Sequence, residues 1–252
     1  MKVFVVFGSA SDENVSLPLV EALKKDFDTE YQVISAHRDL EKLQDTLGKW
    51  EGDAVIAGAG LAAALPGVAA AMVKIPVYGV AVPAQFGGLD SFASIAQMPP
   101  GVPVITAGPS KPEAIVAFLK KYKDASADYT SVNFVMRDEK LINHPDLLAE
   151  IEKATKAGAE KGIKVTLSKA EDKKAFNVII ATEEAHVSPD GFCLHLPFMP
   201  KDAAKKPENY LNSLALAEKG GLWVGVNNTR NAVHAVARLG AASQRISKRA
   251  AA

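Results

Sequence analysis

Cysteine is nearly absent from this sequence, which has a single one, Cys193, among 252 residues. One thiol cannot form an internal disulfide, and it has no partner at the spacing of a zinc site. This usage fits a reducing compartment. The chain also opens Met1-Lys2-Val3 directly into an apolar segment, which indicates no signal peptide. We therefore expect a cytoplasmic protein.

An excess of charge of either sign is also lacking. Lys and Arg together number 29, Asp and Glu together number 29, and the formal net charge is +0. The chain thus has no global field that attracts nucleic acid or an anionic membrane, and we expect neither as a partner. An anionic ligand would need a local cluster of polar and cationic side chains. The hydrophobic content of 48% is enough for a packed core.

One uncharged segment, residues 54–73, has the length of a membrane span. It is rich in alanine rather than leucine and is interrupted by Gly58, Gly60, Pro66 and Gly67. Such interruptions and the low leucine content are untypical of a transmembrane helix. The segment is predicted to form a buried strand followed by a buried helix.

Strands and helices alternate along the first half. Apolar runs predict five strands, and amphipathic segments after them predict helices, with Pro18 expected close to the first turn of the first helix. The predicted strands are 2–7, 31–34, 54–57, 77–82 and 104–107, and the closing helix is 112–122. This alternation predicts a doubly wound parallel α/β sheet over residues 1–124.

The same pattern begins again after a polar link. Strands are predicted at 132–136, 165–167 and 178–181, and a helix at 147–158. Ser94 and the segment 101–104 align with Ser213 and the segment 220–223, and 114–118 aligns with 233–237. Matching elements in the same order predict a tandem duplication, with a second copy at 130–242 and a frayed basic tail at 243–252.

The second copy is predicted to be degenerate. It has nothing like Ser-Ala-His-Arg after its second strand, and too few residues separate Ala181 from Phe192 to hold a helix like that expected at 62–72. We infer that it keeps the scaffold and has lost most of the site.

Three polar segments follow the first three predicted strands. They are Gly8-Ser9-Ala10-Ser11-Asp12, Ser35-Ala36-His37-Arg38 and Gly58-Ala59-Gly60. In an open parallel sheet the carboxyl ends of the strands form the ligand crevice. Hydroxyl and backbone N–H groups at a helix start favour an anion, an imidazole titrates near neutrality, and glycines let a ligand approach the backbone. The alternative is that these residues are ordinary helix caps and surface side chains.

Together these motifs resemble the PurE family, the N5-carboxyaminoimidazole ribonucleotide mutases and the related aminoimidazole ribonucleotide carboxylases of purine biosynthesis. Leu65-Pro66-Gly67, Leu89-Asp90-Ser91 and Ile95-Ala96-Gln97-Met98-Pro99 extend the resemblance, which covers about residues 1–122. It implies a flavodoxin-like three-layer α/β/α fold. Arg38, rather than a lysine, resembles the mutase class more than the class that uses free carbon dioxide.

The resemblance implies how the nucleotide part of the substrate would be bound. Ser11, Ser35 and Arg38 would hold the phosphate of a small-molecule ribonucleotide, since a guanidinium and hydroxyls make charge-assisted, directional contacts to phosphate oxygens. Asp12 would accept hydrogen bonds from the ribose hydroxyls.

The resemblance also implies the chemistry. Ser9, His37 and the backbone of Gly58, Ala59 and Gly60 would surround a carboxylate that leaves a nitrogen as carbon dioxide and is recaptured by a ring carbon. His37 would move the proton between nitrogen and carbon, which needs a pKa near the working pH. No metal and no organic cofactor is called for.

Two positions depart from the family pattern, which usually runs Gly-Ala-Gly-Gly-Ala-Ala-His-Leu-Pro-Gly. This chain has Leu61 at the fourth position of that motif, in place of its third glycine, and Ala64 in place of the histidine. A second imidazole is thus missing, and Leu61 adds bulk. Two alternatives to the mutase stay open: a pseudo-enzyme of the same fold that binds a phosphorylated nucleoside without turnover, and a carboxylase that uses carbon dioxide.

The resemblance further implies an assembly. Family members pack single-domain subunits into octamers whose sites lie where subunits meet. A chain that fuses two copies would complete such an assembly as a homotetramer. Asn231 would then complete a neighbouring site, and the alternative is that it is an ordinary helical asparagine.

Overall fold

The computed structural model describes residues 1–125 and 127–250, and this part of the chain forms one mixed sheet covered by helices on both faces. The strands are β1 Lys2–Phe7, β2 Asp28–Val33, β3 Ala54–Ala59, β4 Val77–Ala81, β5 Ile105–Ala107, β6 Ser131–Val135, β7 Lys164–Ser168, β8 Phe176–Ala181, β9 Leu194–Pro197 and β10 Leu222–Trp223. The helices are α1 Glu13–Lys24, α2 Leu40–Gly48, α3 Leu65–Met72, α4 Leu89–Ala96, α5 Glu113–Asp124, α6 Pro145–Ala159, α7 Lys201–Ala204, α8 Tyr210–Ala217 and α9 Thr229–Ala250.

The strand order is β2-β1-β3-β4-β5-β10-β9-β8-β6-β7. Neighbouring strands are parallel except β5 and β10, where Leu222 pairs with Ala107 and Trp223 with Thr106 in antiparallel register. The predicted doubly wound parallel sheet is confirmed. The second five strands repeat the order of the first five, which supports the predicted duplication. Because β5 and β10 are antiparallel, the carboxyl ends of the strands in the two halves lie at opposite edges of the sheet.

Successive strand residues face opposite sides of the sheet and build two core layers. Val5 and Phe7 of β1 belong to the layer that includes buried residues of α1, α5, α6 and α9. Phe4 and Val6 belong to the layer that includes buried residues of α2, α3, α4 and α8. The three-layer α/β/α arrangement follows from this division.

The uncharged segment 54–73 forms β3 and α3, as predicted. Within residues 1–125 and 127–250 no helix is both long enough and apolar enough to cross a membrane.

Pro18 lies later in α1 than the sequence led us to expect. It is the sixth residue of that helix, in the second turn. Proline cannot donate the hydrogen bond that the carbonyl of Asn14 would otherwise accept. Asn14 and Pro18 are both exposed, so water can reach that carbonyl and the helix continues.

The second half lacks counterparts of α2 and α3. Between Ala181 and Phe192 the chain forms only a 3₁₀ turn, Glu184–His186, as the spacing predicted. Side chains on the sheet itself carry polar contacts there: Asn133 donates to the amide oxygen of Asn177 at 3.1 Å and accepts hydrogen bonds from Thr166 and Ser168 at 3.0 Å each. A polar network thus lies where the first half has helices.

The basic tail is not frayed over the residues that the structure describes. Helix α9 continues to Ala250, and residues 251–252 lie outside the described range. Leu239 and Ala242 are buried, Ile246 packs against the same core, and Arg249 pairs with the buried Asp53. These contacts with the first half stabilise the helix end.

Asn231 of α9 binds its own chain. Its side-chain amide donates to the carbonyl oxygen of Pro99 at 3.0 Å and accepts a hydrogen bond from the backbone N–H of Gly101 at 2.9 Å. The buried amide therefore fixes the loop between α4 and β5.

Candidate functional site

A cavity of about 370 Å³ lies at the carboxyl ends of β1, β2 and β3. Its walls come from segments 8–12, 35–38 and 59–65, with Ala84 after β4. The cavity therefore occupies the crevice where an open parallel sheet binds ligands.

The segment after β1 is organised by Ser9. The hydroxyl of Ser9 accepts hydrogen bonds from the backbone N–H of Ser11 at 3.2 Å and from the Ser11 hydroxyl at 2.8 Å. The Ser11 hydroxyl also lies 3.2 Å from a carboxylate oxygen of Asp12. Partial burial raises the pKa of Asp12, and the hydrogen bond from Ser11 opposes that rise. Two hydroxyls and a carboxyl group thus face the cavity together.

The segment after β2 presents the imidazole and the guanidinium. The backbone N–H of Asp39 donates to the carbonyl of Ser35 at 2.9 Å and closes a tight turn that contains His37 and Arg38. Ser35 is 8% exposed, whereas His37 and Arg38 are exposed. Among the described residues neither His37 nor Arg38 makes a side-chain hydrogen bond or ion pair, so both groups are accessible to a ligand.

Gly58 is the one predicted site residue that does not line the cavity. Strand β3 runs on through Ala59, two residues beyond its predicted end, and places Gly58 inside the sheet. A Cβ atom at Gly58 would lie 2.2 Å from Cε1 of Phe7. The glycine therefore makes room for a core ring, and the role of its backbone beside the carboxylate stays a prediction.

The segment after β3 carries both departures from the family pattern. Leu61 is 63% exposed and lines the cavity, as does Ala64 immediately before α3. The start of α3 therefore lies beside the cavity, and its first N–H groups and helix dipole favour an anion there. Ala62 adopts a left-handed backbone with φ 49°, which turns the chain into the helix.

Sequence reasoning missed Ala84 as a lining residue. It follows β4, two residues beyond the predicted strand end at Val82, and a Cβ at Gly60 would lie 3.4 Å from its methyl group. The other segments were found because they follow parallel strands, and the same rule would have identified Ala84. Its methyl side chain, however, has no hydrogen-bonding or charged group that would mark it as a site residue.

The other eight predicted residues line this one cavity: Ser9, Ser11, Asp12, Ser35, His37, Arg38, Ala59 and Gly60. Together they offer three hydroxyls, one carboxyl group, one imidazole and one guanidinium. A cation with several hydroxyl donors suits a phosphate, a carboxylate suits a polyol, and an imidazole suits proton transfer.

Comparison with known proteins locates the similarity in the first half. The family model described as AIR carboxylase matches residues 2–121. An N5-carboxyaminoimidazole ribonucleotide mutase of Pyrococcus abyssi is 47% identical over 113 residues, which are 42% of this chain and 64% of that protein. The mutase of Saccharolobus solfataricus is 39% identical over 150 residues, which are 56% of this chain and 95% of that protein.

A solved structure, the UDP-N-acetylglucosamine 2-epimerase of Rickettsia bellii, aligns over 98% of this chain and 95% of its own length. The TM-score is 0.31 and the sequence identity is 13%.

Proposed function

The chain belongs to the AIR carboxylase, or PurE, family, and from that premise we propose that it isomerises N5-carboxyaminoimidazole ribonucleotide to 4-carboxyaminoimidazole ribonucleotide in purine biosynthesis in the cytoplasm. The observation that carries the proposal is that eight residues from three separate segments, 9–12, 35–38 and 59–60, line one cavity. The family match covers about half of the chain, so the proposal places the chemistry in the first half.

The cavity divides into a nucleotide end and a reacting end. Ser11, Ser35 and Arg38 hold the phosphate, and the exposed guanidinium supplies the cation that balances it. Asp12 accepts hydrogen bonds from the ribose hydroxyls. The partial burial that raises the pKa of Asp12 is offset when a ligand donates hydrogen bonds to the carboxylate.

At the reacting end the carboxyl group changes its atom of attachment. The bond between the exocyclic nitrogen and the carboxyl carbon breaks, its electron pair stays on nitrogen, and carbon dioxide is released. His37 donates a proton to that nitrogen. The ring carbon then attacks carbon dioxide. The neutral imidazole of His37 removes the proton from that carbon, which restores the aromatic ring and returns His37 to its protonated form. Ser9, Ala59 and Gly60 hold the carboxylate during the transfer.

This function is tested by incubating the purified chain with each candidate ribonucleotide and following the ultraviolet absorbance of the product. We expect product from the N5-carboxylated ribonucleotide and none from aminoimidazole ribonucleotide with bicarbonate at the same concentration. Product from the latter pair would identify a carboxylase instead. No product from either substrate would contradict both activities.

A second candidate is a pseudo-enzyme that binds the ribonucleotide without turnover. The observation in its favour is that Leu61 and Ala64, the two departures from the family pattern, both line the cavity. Saturable binding of the ribonucleotide without product would support it.

We also propose that the chain assembles as a homotetramer in place of the octamer that the family resemblance implies. The repeated strand order of the two halves supports this, and so do the exposed apolar side chains Leu61, beside the cavity, and Phe86, two residues beyond Ala84. Light scattering coupled to size exclusion tests it: a mass of four chains supports the proposal and a mass of one chain contradicts it.

A further inference from the structure

A second cavity, of about 190 Å³, lies at the carboxyl ends of β8 and β9. In the second half, β8 and β9 hold the places that β3 and β4 hold in the first half, so this cavity corresponds to the side of the first cavity that lies next to β3 and β4. Because the two halves of the sheet run in opposite directions, it opens at the opposite sheet edge. A ligand bound there would not overlap one in the first cavity.

One polar group in this second cavity has no partner. Ser213 of α8 is 1% exposed, lines the cavity, and its hydroxyl makes no hydrogen bond with any described residue. Ser94, the residue aligned with it in the first half, is exposed and donates to the carbonyl of Asp90 at 2.8 Å. The buried serine of α4, Ser91, lies 3.1 Å from the carbonyl oxygens of Val82 and Gly88. A buried hydroxyl without a partner destabilises the folded chain, and a ligand in the cavity that bonds to Ser213 would remove that cost.

The polar groups beside Ser213 are neutral. Asn209 donates from its amide to the carbonyl of Ala203 at 2.8 Å, and among the described residues its amide oxygen accepts no hydrogen bond. Asn212 also lines the cavity and is exposed. Asparagine amides combine a donor and an acceptor, the combination that matches the edge of a nitrogen heterocycle such as adenine.

Among residues 1–125 and 127–250, no ionisable side chain lines this cavity. The charged residues of the adjoining α7 are paired, Lys205 with Asp202 at 3.0 Å and Lys201 with Asp146 at 3.4 Å. After β6 and β7, where the first half places its phosphate-binding residues, Arg137 pairs with Glu171 at 2.8 Å and Lys169 with Glu139 at 2.7 Å. Lys206, which is exposed and forms no ion pair with a described residue, lies outside the cavity lining, so a phosphate or a carboxylate would meet no cation of the lining itself.

The remaining walls are apolar apart from Thr182, whose hydroxyl lies 3.2 Å from Nδ1 of the buried His186. Ala181, Pro197, Met199, Pro200, Ala203 and Leu216 contribute to them. Such surfaces suit the faces of a flat ring better than a polyhydroxylated sugar, and the volume is below the roughly 300–1,000 Å³ typical of sites for larger ligands. We propose that the second cavity binds a small uncharged nitrogen heterocycle of purine size, held at its edge by Ser213, Asn209 and Asn212.

The test is calorimetric titration of the full chain with adenine and with hypoxanthine. We expect saturable binding of at least one of them, with no change in affinity between low and high salt because no charge is involved. Ser213→Ala should weaken binding about three- to tenfold through the lost hydrogen bond, and Ser94→Ala, on the equivalent helix, should leave it unchanged. Ala203→Leu, at a half-buried position on the cavity wall, should abolish binding by filling the space.

Three results would overturn the proposal. The first is that neither heterocycle binds the wild-type chain, and the second is that binding survives Ala203→Leu. The third is that binding is lost in Arg38→Ala, which would assign the ligand to the first cavity. Circular dichroism of each variant establishes that it is folded. If Ser213→Ala does not fold, Ala203→Leu decides the question alone. Because these outcomes do not involve the ribonucleotide, they are independent of the proposed mutase activity.

Discussion

His195 stacks on Trp223, with ring centroids 4.7 Å apart and ring planes 30° apart. Both side chains are fully buried where β9 pairs with β10. The ring nitrogens of His195 are also engaged: Nε2 accepts a hydrogen bond from the backbone N–H of Ser188 at 2.9 Å, and Nδ1 lies 3.1 Å from the carbonyl oxygen of Leu222. The imidazole therefore belongs to the packing of the second half, on the strand next to the β5–β10 junction.

This contact predicts an acid-sensitive fold. Burial lowers the pKa of His195 to about 4 from the ordinary value of 6.5. Between these values the unfolded chain binds a proton that the folded chain does not, so stability is lost as pH falls from about 6.5 to 4, by roughly 3 kcal/mol in total. The free energy of unfolding in urea, measured across this range, should show that slope.

A variant isolates the contribution of this histidine. In His195→Gln the free energy of unfolding should depend less steeply on pH between pH 6.5 and 4 than in the wild type. An unchanged slope in His195→Gln would show that other groups cause the acid sensitivity.

Arg38→Ala should weaken binding of the ribonucleotide by roughly 1.5–3 kcal/mol, because the variant loses a charge-assisted contact to phosphate. Calorimetry measures the difference. Arg137→Ala is the matched control, since its guanidinium pairs with Glu171 in the second half and should not affect affinity. Equal affinities of Arg38→Ala and the wild type would place the phosphate elsewhere.

His37→Asn should lower turnover at least about 100-fold while leaving ribonucleotide affinity within about tenfold. A general acid and base acts mainly in the transition state, and asparagine keeps one hydrogen-bonding edge. His234→Asn, a change at a half-buried histidine of α9, is the control. Near-normal turnover of His37→Asn would remove this residue from the mechanism.

Leu61→Gly combined with Ala64→His should raise mutase activity if the chain is a weakened enzyme. The glycine opens the cavity wall, and the histidine returns a donor immediately before α3. Since Leu61 precedes the helix, the usual cost of about 1 kcal/mol for glycine inside a helix does not arise. Initial rates of parent and double variant are compared; no activity in either would favour the pseudo-enzyme.

Local sequence signals were sufficient to predict the five strands of the first half and most of the candidate site. Apolar runs marked the strands, and polar residues after them marked the cavity, because the carboxyl ends of neighbouring parallel strands meet at one edge. Ser9, Ser35 and His37 come from different segments and line the same cavity for this reason.

The failures have a common physical cause. The tail was misjudged because Arg249 pairs with Asp53, almost two hundred residues away, and the packing of Gly58 against Phe7 of the neighbouring strand could not be read from the local sequence either. The hydrogen bond from Asn231 to the carbonyl oxygen of Pro99 also joins residues that are far apart in the sequence. Hydrophobic periodicity reports the local conformation of a segment and contains no information about such distant partners.

Carboxyl transfer within one substrate molecule is the central claim, and isotope retention tests it most directly. The purified chain is given N5-carboxyaminoimidazole ribonucleotide labelled with ¹³C in the carboxyl group, in excess unlabelled bicarbonate, and the product is examined by ¹³C NMR. We predict a 4-carboxylated product that keeps the label, because released carbon dioxide is recaptured in the same cavity. An unlabelled product, or none above the rate without protein, would contradict the account.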